Sequence, residues 1–96
     1  MEGREIEPWD FGTECVVCGN PVVDMHHIFP GTSNRAQSER YGYKIPLCRK
    51  HHTDHGVGIH FNRGMALAWQ QKAQHHFERN YGTREDFIKT FGRSFL

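Results

Sequence analysis

The pattern of apolar and polar residues separates a loop-rich first half of the chain from a helical second half. In the second half, apolar residues recur every three to four positions, which predicts a helix that begins near Asn62 and runs to about residue 79. A histidine on such a stripe is more often packed in the core than bound to a metal. The stripe consists of Met65, Trp69, Ala73, His76 and Phe77.

A second helix is predicted over Arg84–Phe91. Thr83, followed three residues later by Asp86, resembles a capping box, in which two side chains satisfy free N–H groups at a helix start. The apolar residues of this segment fall on one face, and Gly92 is a typical helix stop. The chain therefore ends in helical support for whatever the first half contains.

Two short strands are predicted in the first half. Residues 22–29 (VVDMHHIF) are rich in β-branched and apolar residues and end at Pro30-Gly31, which predicts a strand closed by a turn. Lys44–Leu47 predicts a second strand. The polar segment between them, residues 32–43, predicts a loop with at most one helical turn, over residues 36–40. Two strands followed by helices indicate a small α+β domain.

Composition limits what this domain can bury. The 96 residues suffice for one domain, and with 36% hydrophobic residues and ten glycines its apolar core is marginal. No apolar run reaches 18 residues, which predicts no membrane span, and no secretory leader is recognisable, which favours the cytoplasm. Residues 1–14 carry five acidic groups and one basic group, whereas residues 15–96 carry eleven basic and six acidic groups. A moderately basic body is compatible with a polyanionic partner.

Cysteine and histidine spacing predicts a structural zinc site. Cys15 and Cys18 form a C-x2-C turn, and Cys48 with His51 forms a C-x2-H pair further along the chain. Two such pairs supply the four tetrahedral ligands of a closed zinc site. A redox pair would require a βαβ context that this sequence lacks, and three cysteines would leave one unpaired in a disulfide framework. A Cys3His zinc site is therefore expected to staple the first half.

Five further histidines surround these ligands, and a structural zinc does not need them. Because a catalytic metal keeps about three protein ligands and open positions, they indicate a second metal site. Adjacent His26 and His27 would point to opposite faces of an ideal strand. They can serve one reaction only if the strand frays or a substrate lies between them. The five are His26, His27, His52, His55 and His60.

A strand ending in His-His-Ile-x-Pro, followed by Leu-Cys-x-x-His-His, resembles the ββα-metal fold of the HNH endonucleases. The likeness covers residues 15–62 and is greatest to the small HNH proteins of phages and prophages, including the recombination-enhancing nuclease type. Together with charge and periodicity, it divides the chain into an acidic arm at residues 1–14, a zinc-stapled core at 15–62 that the resemblance identifies as HNH-like, and helical support at 63–96. Trp9 and Phe11 of the arm are expected to dock on the body.

The resemblance also assigns roles. It implies that His27 is the general base and that His26 and His52 bind the catalytic metal. The family's further ligand position falls on Gly56 here. His60 is the preferred replacement and His55 the second choice, while a rival pairing of His51 with His55 would remove a zinc ligand. The family's middle Asn corresponds to Tyr43, and Asn34 is a candidate to replace it.

The function implied is metal-dependent hydrolysis of DNA phosphodiester bonds, in phage recombination or DNA processing. The family's usual ions are Mg²⁺ or Mn²⁺, whereas three imidazoles also suit Zn²⁺ or Ni²⁺. A recombination or packaging protein is a candidate partner. The alternative is a non-catalytic zinc module that binds DNA or protein, and two metal sites rather than one would favour the nuclease. Candidate DNA contacts are Arg35, Arg40, Lys44 and Arg49.

Overall fold

The computed structural model describes residues 7–54, 56 and 58–96 and shows an α+β chain, as the sequence predicts. Both strands lie in the first half, and the last two helices follow the predicted metal-binding segment. In chain order the elements are β1 (Asp24–His27), α1 (Thr32–Tyr41), β2 (Lys44–Leu47), α2 (Arg49–Thr53), a 3-10 helix (Ile59–Phe61), α3 (Arg63–Asn80) and α4 (Arg84–Phe91).

Strands β1 and β2 form an antiparallel pair in which Asp24 lies opposite Leu47 and His27 lies opposite Lys44. The prediction of a strand over residues 22–29 was too long. Strand β2 has only four residues, between Tyr43 and Cys48, and β1 cannot continue a ladder without a partner. One more bond follows the ladder, from the Ile28 N–H to the Tyr43 carbonyl at 3.0 Å, before the chain turns away.

Helix α1 contradicts the prediction of a loop over residues 32–43. Its inward side is largely polar, and two of its polar side chains bond to the backbone of other segments. The Phe29 N–H donates to Ser38 Oγ at 3.2 Å, and Asn34 Nδ2 donates to the Phe91 carbonyl at 3.1 Å. Because hydrophobic periodicity reveals only apolar stripes, it does not predict a helix whose packed side is largely polar.

The two C-terminal helices confirm their predictions. Asn62 caps α3 by accepting a hydrogen bond from the Met65 N–H at 3.0 Å. The capping box at the start of α4 is complete, because Thr83 and Asp86 each accept from the other's backbone N–H, at 3.1 and 2.9 Å. Gly92 ends α4 with a φ of 96°, a left-handed conformation that glycine adopts without a Cβ penalty.

The core joins both halves of the chain. The arm docks as expected: Trp9 and Phe11 pack against the core, and Trp9 Nε1 donates to the Lys44 carbonyl at 3.1 Å. Residues 1–6 of the predicted arm lie outside the described residues. His76 is packed in the core, as its place on the stripe predicts. The largest buried side chains include Phe29, Tyr43, Ile45 and Leu47 from the first half and Phe77, Phe87 and Phe91 from the second.

None of the described helices is both long enough and apolar enough to cross a bilayer.

Candidate metal centres

Four side chains from two separate segments meet in a Cys3His cluster. Cys15 and Cys18 lie in a tight turn before β1, which closes with the Gly19 N–H donating to the Cys15 carbonyl at 2.8 Å. Cys48 precedes α2, and His51 projects from that helix. The Cys18 and Cys48 sulfurs are 3.7 Å apart, and His51 Nδ1 lies 3.2 Å from Cys48 Sγ and 3.7 Å from Cys15 Sγ.

These separations match the edges of a zinc tetrahedron. Two sulfurs with Zn–S bonds of about 2.3 Å lie about 3.8 Å apart, and a sulfur and an imidazole nitrogen lie about 3.6 Å apart. All three cysteines are free thiols, so no disulfide competes for them. The cluster could therefore hold a structural metal ion such as zinc.

The backbone around Cys15 favours the thiolate form that zinc requires. Burial alone would raise the pKa of the Cys15 thiol. The backbone N–H groups of Cys48, Cys18 and Val17 outweigh it by stabilising the thiolate, and its pKa falls to about 6. The backbone N–H groups that the fold gathers around Cys15 thus favour its thiolate.

A second cluster contains only imidazoles. His26 comes from β1, His52 from α2 and His60 from the 3-10 helix. The Nε2 atoms of His52 and His60 are 3.0 Å apart. The centroid of the His26 ring lies 5.2 Å from the ring centroid of His52 and 5.1 Å from that of His60. One candidate ligand atom from each ring lies within 4.8 Å of the others, so the three could hold a metal ion. His51 and His52 are neighbours in α2, yet they belong to different clusters.

Local electrostatics favour the neutral forms of two of the three rings. Burial, and then the neighbouring imidazoles His52, His60 and His27, lower the pKa of His26 to about 4. Burial and His52 also lower the pKa of His60. A neutral ring has a lone pair to donate, so His26 and His60 meet the chemical requirement for metal ligands.

Asp24 supports the second cluster and was not singled out from the sequence. Its Oδ2 lies 3.4 Å from His52 Nδ1 and 3.6 Å from Arg49 Nε. A carboxylate on one ring nitrogen fixes the tautomer and leaves Nε2 free to bind a metal. A signal was available, because Asp24 precedes His26 by two residues on a predicted strand, and such residues share a face.

His27 does not join the imidazole cluster. Its Nε2 lies 2.9 Å from Oε1 of Glu39 on α1, and Glu39 Oε2 lies 2.8 Å from Lys44 Nζ. The hydrogen bonds from Lys44 and then His27 lower the pKa of the Glu39 carboxyl group, which therefore stays ionised at neutral pH. The sequence did not indicate Glu39, because a segment predicted to be a loop has no defined side to face β1.

His27 and the three imidazoles nevertheless line one cavity of about 300 Å³. Although adjacent residues of an ideal strand point to opposite faces, His26 and His27 both line this cavity. A substrate in the cavity can touch both. Arg35 also lines it, close to Pro30 and Gly31 at the turn after β1.

The remaining predicted residues lie elsewhere. The Asn34 amide is occupied by the Phe91 carbonyl, and Tyr43, at the family's Asn position, is a fully buried core residue. Arg40 is exposed beside the Tyr41 ring and is not part of the cavity lining. His55, the second choice of ligand, lies outside the described residues.

No family model, curated protein or solved structure matches this chain.

Proposed function

We propose that this protein is a metal-dependent endonuclease of the HNH type that hydrolyses DNA phosphodiester bonds, in phage DNA recombination or processing. The observation that carries the proposal is the shared cavity. It brings a histidine held by a carboxylate, His27 with Glu39, together with a separate three-imidazole cluster and the arginine Arg35. A purely structural zinc module needs none of these groups.

His27 is the proposed general base. With Nε2–H donated to the Glu39 carboxylate, the neutral ring has its free lone pair on Nδ1. Nδ1 takes a proton from water as the water oxygen bonds to phosphorus and the bond to the 3′-oxygen breaks. A base positioned in this way contributes about 10²- to 10⁴-fold to the rate.

His26, His52 and His60 are the proposed ligands of a catalytic divalent metal. Three protein ligands leave coordination positions open, unlike the four of the Cys3His cluster. When bound, the ion supplies positive charge beside the phosphate oxygens. Asp24 holds His52 in the tautomer that presents Nε2.

Arg35 is the proposed phosphate clamp. A guanidinium group offers two parallel N–H donors to one phosphate, which fixes orientation as well as charge. Lys44 is held by Glu39, which contacts the cavity residue His27, and Arg49 lies beside Asp24, which contacts the cavity residue His52. Both cations therefore contribute positive charge near the cavity.

The test is a cleavage assay on supercoiled plasmid and on single-stranded DNA, with EDTA or with added Mg²⁺, Mn²⁺, Ni²⁺ or Zn²⁺. We expect metal-dependent cleavage that His27→Ala reduces by 10²-fold or more while DNA binding persists. His75→Ala is the matched control, because His75 is an exposed histidine on α3 outside the cavity. It should cleave like the wild type.

Equal cleavage by His27→Ala and His75→Ala would contradict the assignment of the base. An absence of cleavage with every ion, together with DNA binding and one zinc per chain, would contradict the nuclease proposal. The protein would then be the non-catalytic zinc module that the sequence left as the alternative.

A further inference from the structure

A second groove lies between α1, α3 and α4, on the far side of Pro30 from the active-site cavity. It encloses about 740 Å³, within the range of about 300–1,000 Å³ typical of ligand sites. Its polar lining includes Arg63 at the start of α3 and Arg93 just after α4. Nothing in the proposed cleavage chemistry uses these residues.

The groove is suited to a negatively charged ligand. Two arginines line it, and no aspartate or glutamate does. Within the described part of the chain, neither Arg63 nor Arg93 forms an ion pair. Both residues are exposed. Arg93 Nε donates to the Ser94 carbonyl at 3.4 Å, which leaves the terminal N–H groups of its guanidinium to meet a phosphate.

The groove also has an apolar component that a phosphate alone would not need. The Arg93 guanidinium lies over the Phe95 ring, 4.4 Å from its centroid, and Leu67 is 39% exposed. Aromatic rings and guanidinium planes stack against unpaired bases. A duplex hides its base faces, whereas a single strand presents both bases and phosphates.

The groove and the active-site cavity meet. Pro30 lines both of them. Asn34 and Arg35 are adjacent on α1, and the first lines the groove while the second lines the cavity. A chain that enters the cavity at Arg35 can therefore continue past Pro30 into the groove.

We propose that this groove binds unpaired nucleotides of a DNA strand next to the phosphate held at the active site, with Arg63 and Arg93 on its phosphates and the Arg93–Phe95 pair against its bases. The location of the cleaved phosphate rests on the proposed function. The binding of single-stranded DNA by the groove does not. The nuclease thus selects single-stranded or frayed DNA.

The test is fluorescence anisotropy with a labelled thymidine dodecamer, in a His27→Ala background that prevents cleavage. We expect Arg63→Gln and Arg93→Gln each to weaken binding by about 3- to 10-fold, and each to reduce the slope of log affinity against log salt by about 0.7. Lys89→Gln is the matched control, because it removes an exposed positive charge from α4 outside the groove.

Binding by both arginine variants equal to that of Lys89→Gln, with unchanged salt slopes, would overturn the groove proposal. So would equal losses on a blunt duplex and on the dodecamer, since the groove should select unpaired bases. Suppose that the arginine variants lose binding to the dodecamer but that the wild type cleaves DNA in the presence of none of the added ions. The groove proposal then holds and the nuclease proposal is contradicted. If the wild type cleaves DNA with an added ion but the arginine variants bind the dodecamer as well as Lys89→Gln does, the nuclease proposal holds and the groove proposal is contradicted.

Discussion

Oε1 of Glu39 lies 2.9 Å from Nε2 of His27, although twelve residues separate them along the chain. The contact joins β1 to α1 and gives the His27 ring one orientation. In the proposed mechanism Glu39 acts through His27, which makes it a positioning residue rather than a catalytic one. Its second oxygen contacts Lys44, so the carboxylate itself is held from both sides.

Glu39→Ala should therefore lower kcat by about tenfold or more, because His27 would lose its fixed orientation and with it part of the rate gain that a positioned base supplies. We expect KM and metal content to change little, since Glu39 is outside both metal clusters. The measurement is steady-state cleavage alongside metal analysis, with Glu85→Ala, an exposed carboxylate on α4, as the control. A rise in KM with constant kcat would instead assign Glu39 to DNA binding.

Asp24→Asn should weaken metal binding at the three-histidine cluster by about 10- to 100-fold, the usual effect of removing a carboxylate behind a histidine ligand. The zinc of the Cys3His cluster should remain, because Asp24 contacts none of its four ligands. Competition with a chromophoric chelator measures both affinities. Asp10→Asn in the arm is the control, and a loss of affinity there as well would argue against the role of Asp24.

Cys18→Ser should abolish tight zinc binding and lower Tm by about 10 °C or more. Cys18 is the exposed ligand of the cluster, so this change leaves the packing of the core intact. Calorimetry and metal analysis would show the effect. Val17→Ser, a substitution at an exposed neighbour in the same turn, should keep both the zinc and the Tm.

Tyr43→Phe should reduce the free energy of unfolding by about 1–3 kcal/mol, the cost of leaving a buried polar atom without a partner. The Tyr43 hydroxyl lies 2.9 Å from His76 Nδ1, and His76 Nε2 lies 2.7 Å from the Glu7 carbonyl. Burial raises the pKa of the Tyr43 hydroxyl, which therefore stays protonated. Its O–H donates a hydrogen bond to His76 Nδ1.

Urea denaturation of Tyr43→Phe and Tyr41→Phe provides the comparison. The Tyr41 ring stacks beside Tyr43, and substituting it removes a hydroxyl without breaking the bond to His76. We expect Tyr41→Phe to be within about 0.5 kcal/mol of the wild type. Equal stability of both variants would mean that His76 Nδ1 finds another partner.

Spacing along the chain predicted much of this molecule. The helix starting at Asn62, the capping box at Thr83 and the stop at Gly92 depend on neighbouring residues, and local rules describe them well. The same holds for the C-x2-C and C-x2-H pairs, since each brings two ligands together within one turn. The structure confirms that the two pairs meet in one cluster.

What the sequence did not predict depends on contacts between distant segments. Helix α1 was missed because its packed side carries Asn34 and Ser38, whose partners lie on Phe91 and Phe29. Glu39 was missed as a consequence, because only a helix at that place turns it toward His27. Asp24 could have been found, since it shares a strand face with His26.

Helix α2 has only five residues, and two neighbours in it, His51 and His52, belong to different candidate metal clusters. A zinc ion bound at the Cys3His cluster would hold the start of α2 and, with it, the position of His52. Under the proposed function, removal of that zinc would therefore disturb the three-histidine cluster as well, and the occupancy of one site would depend on the other.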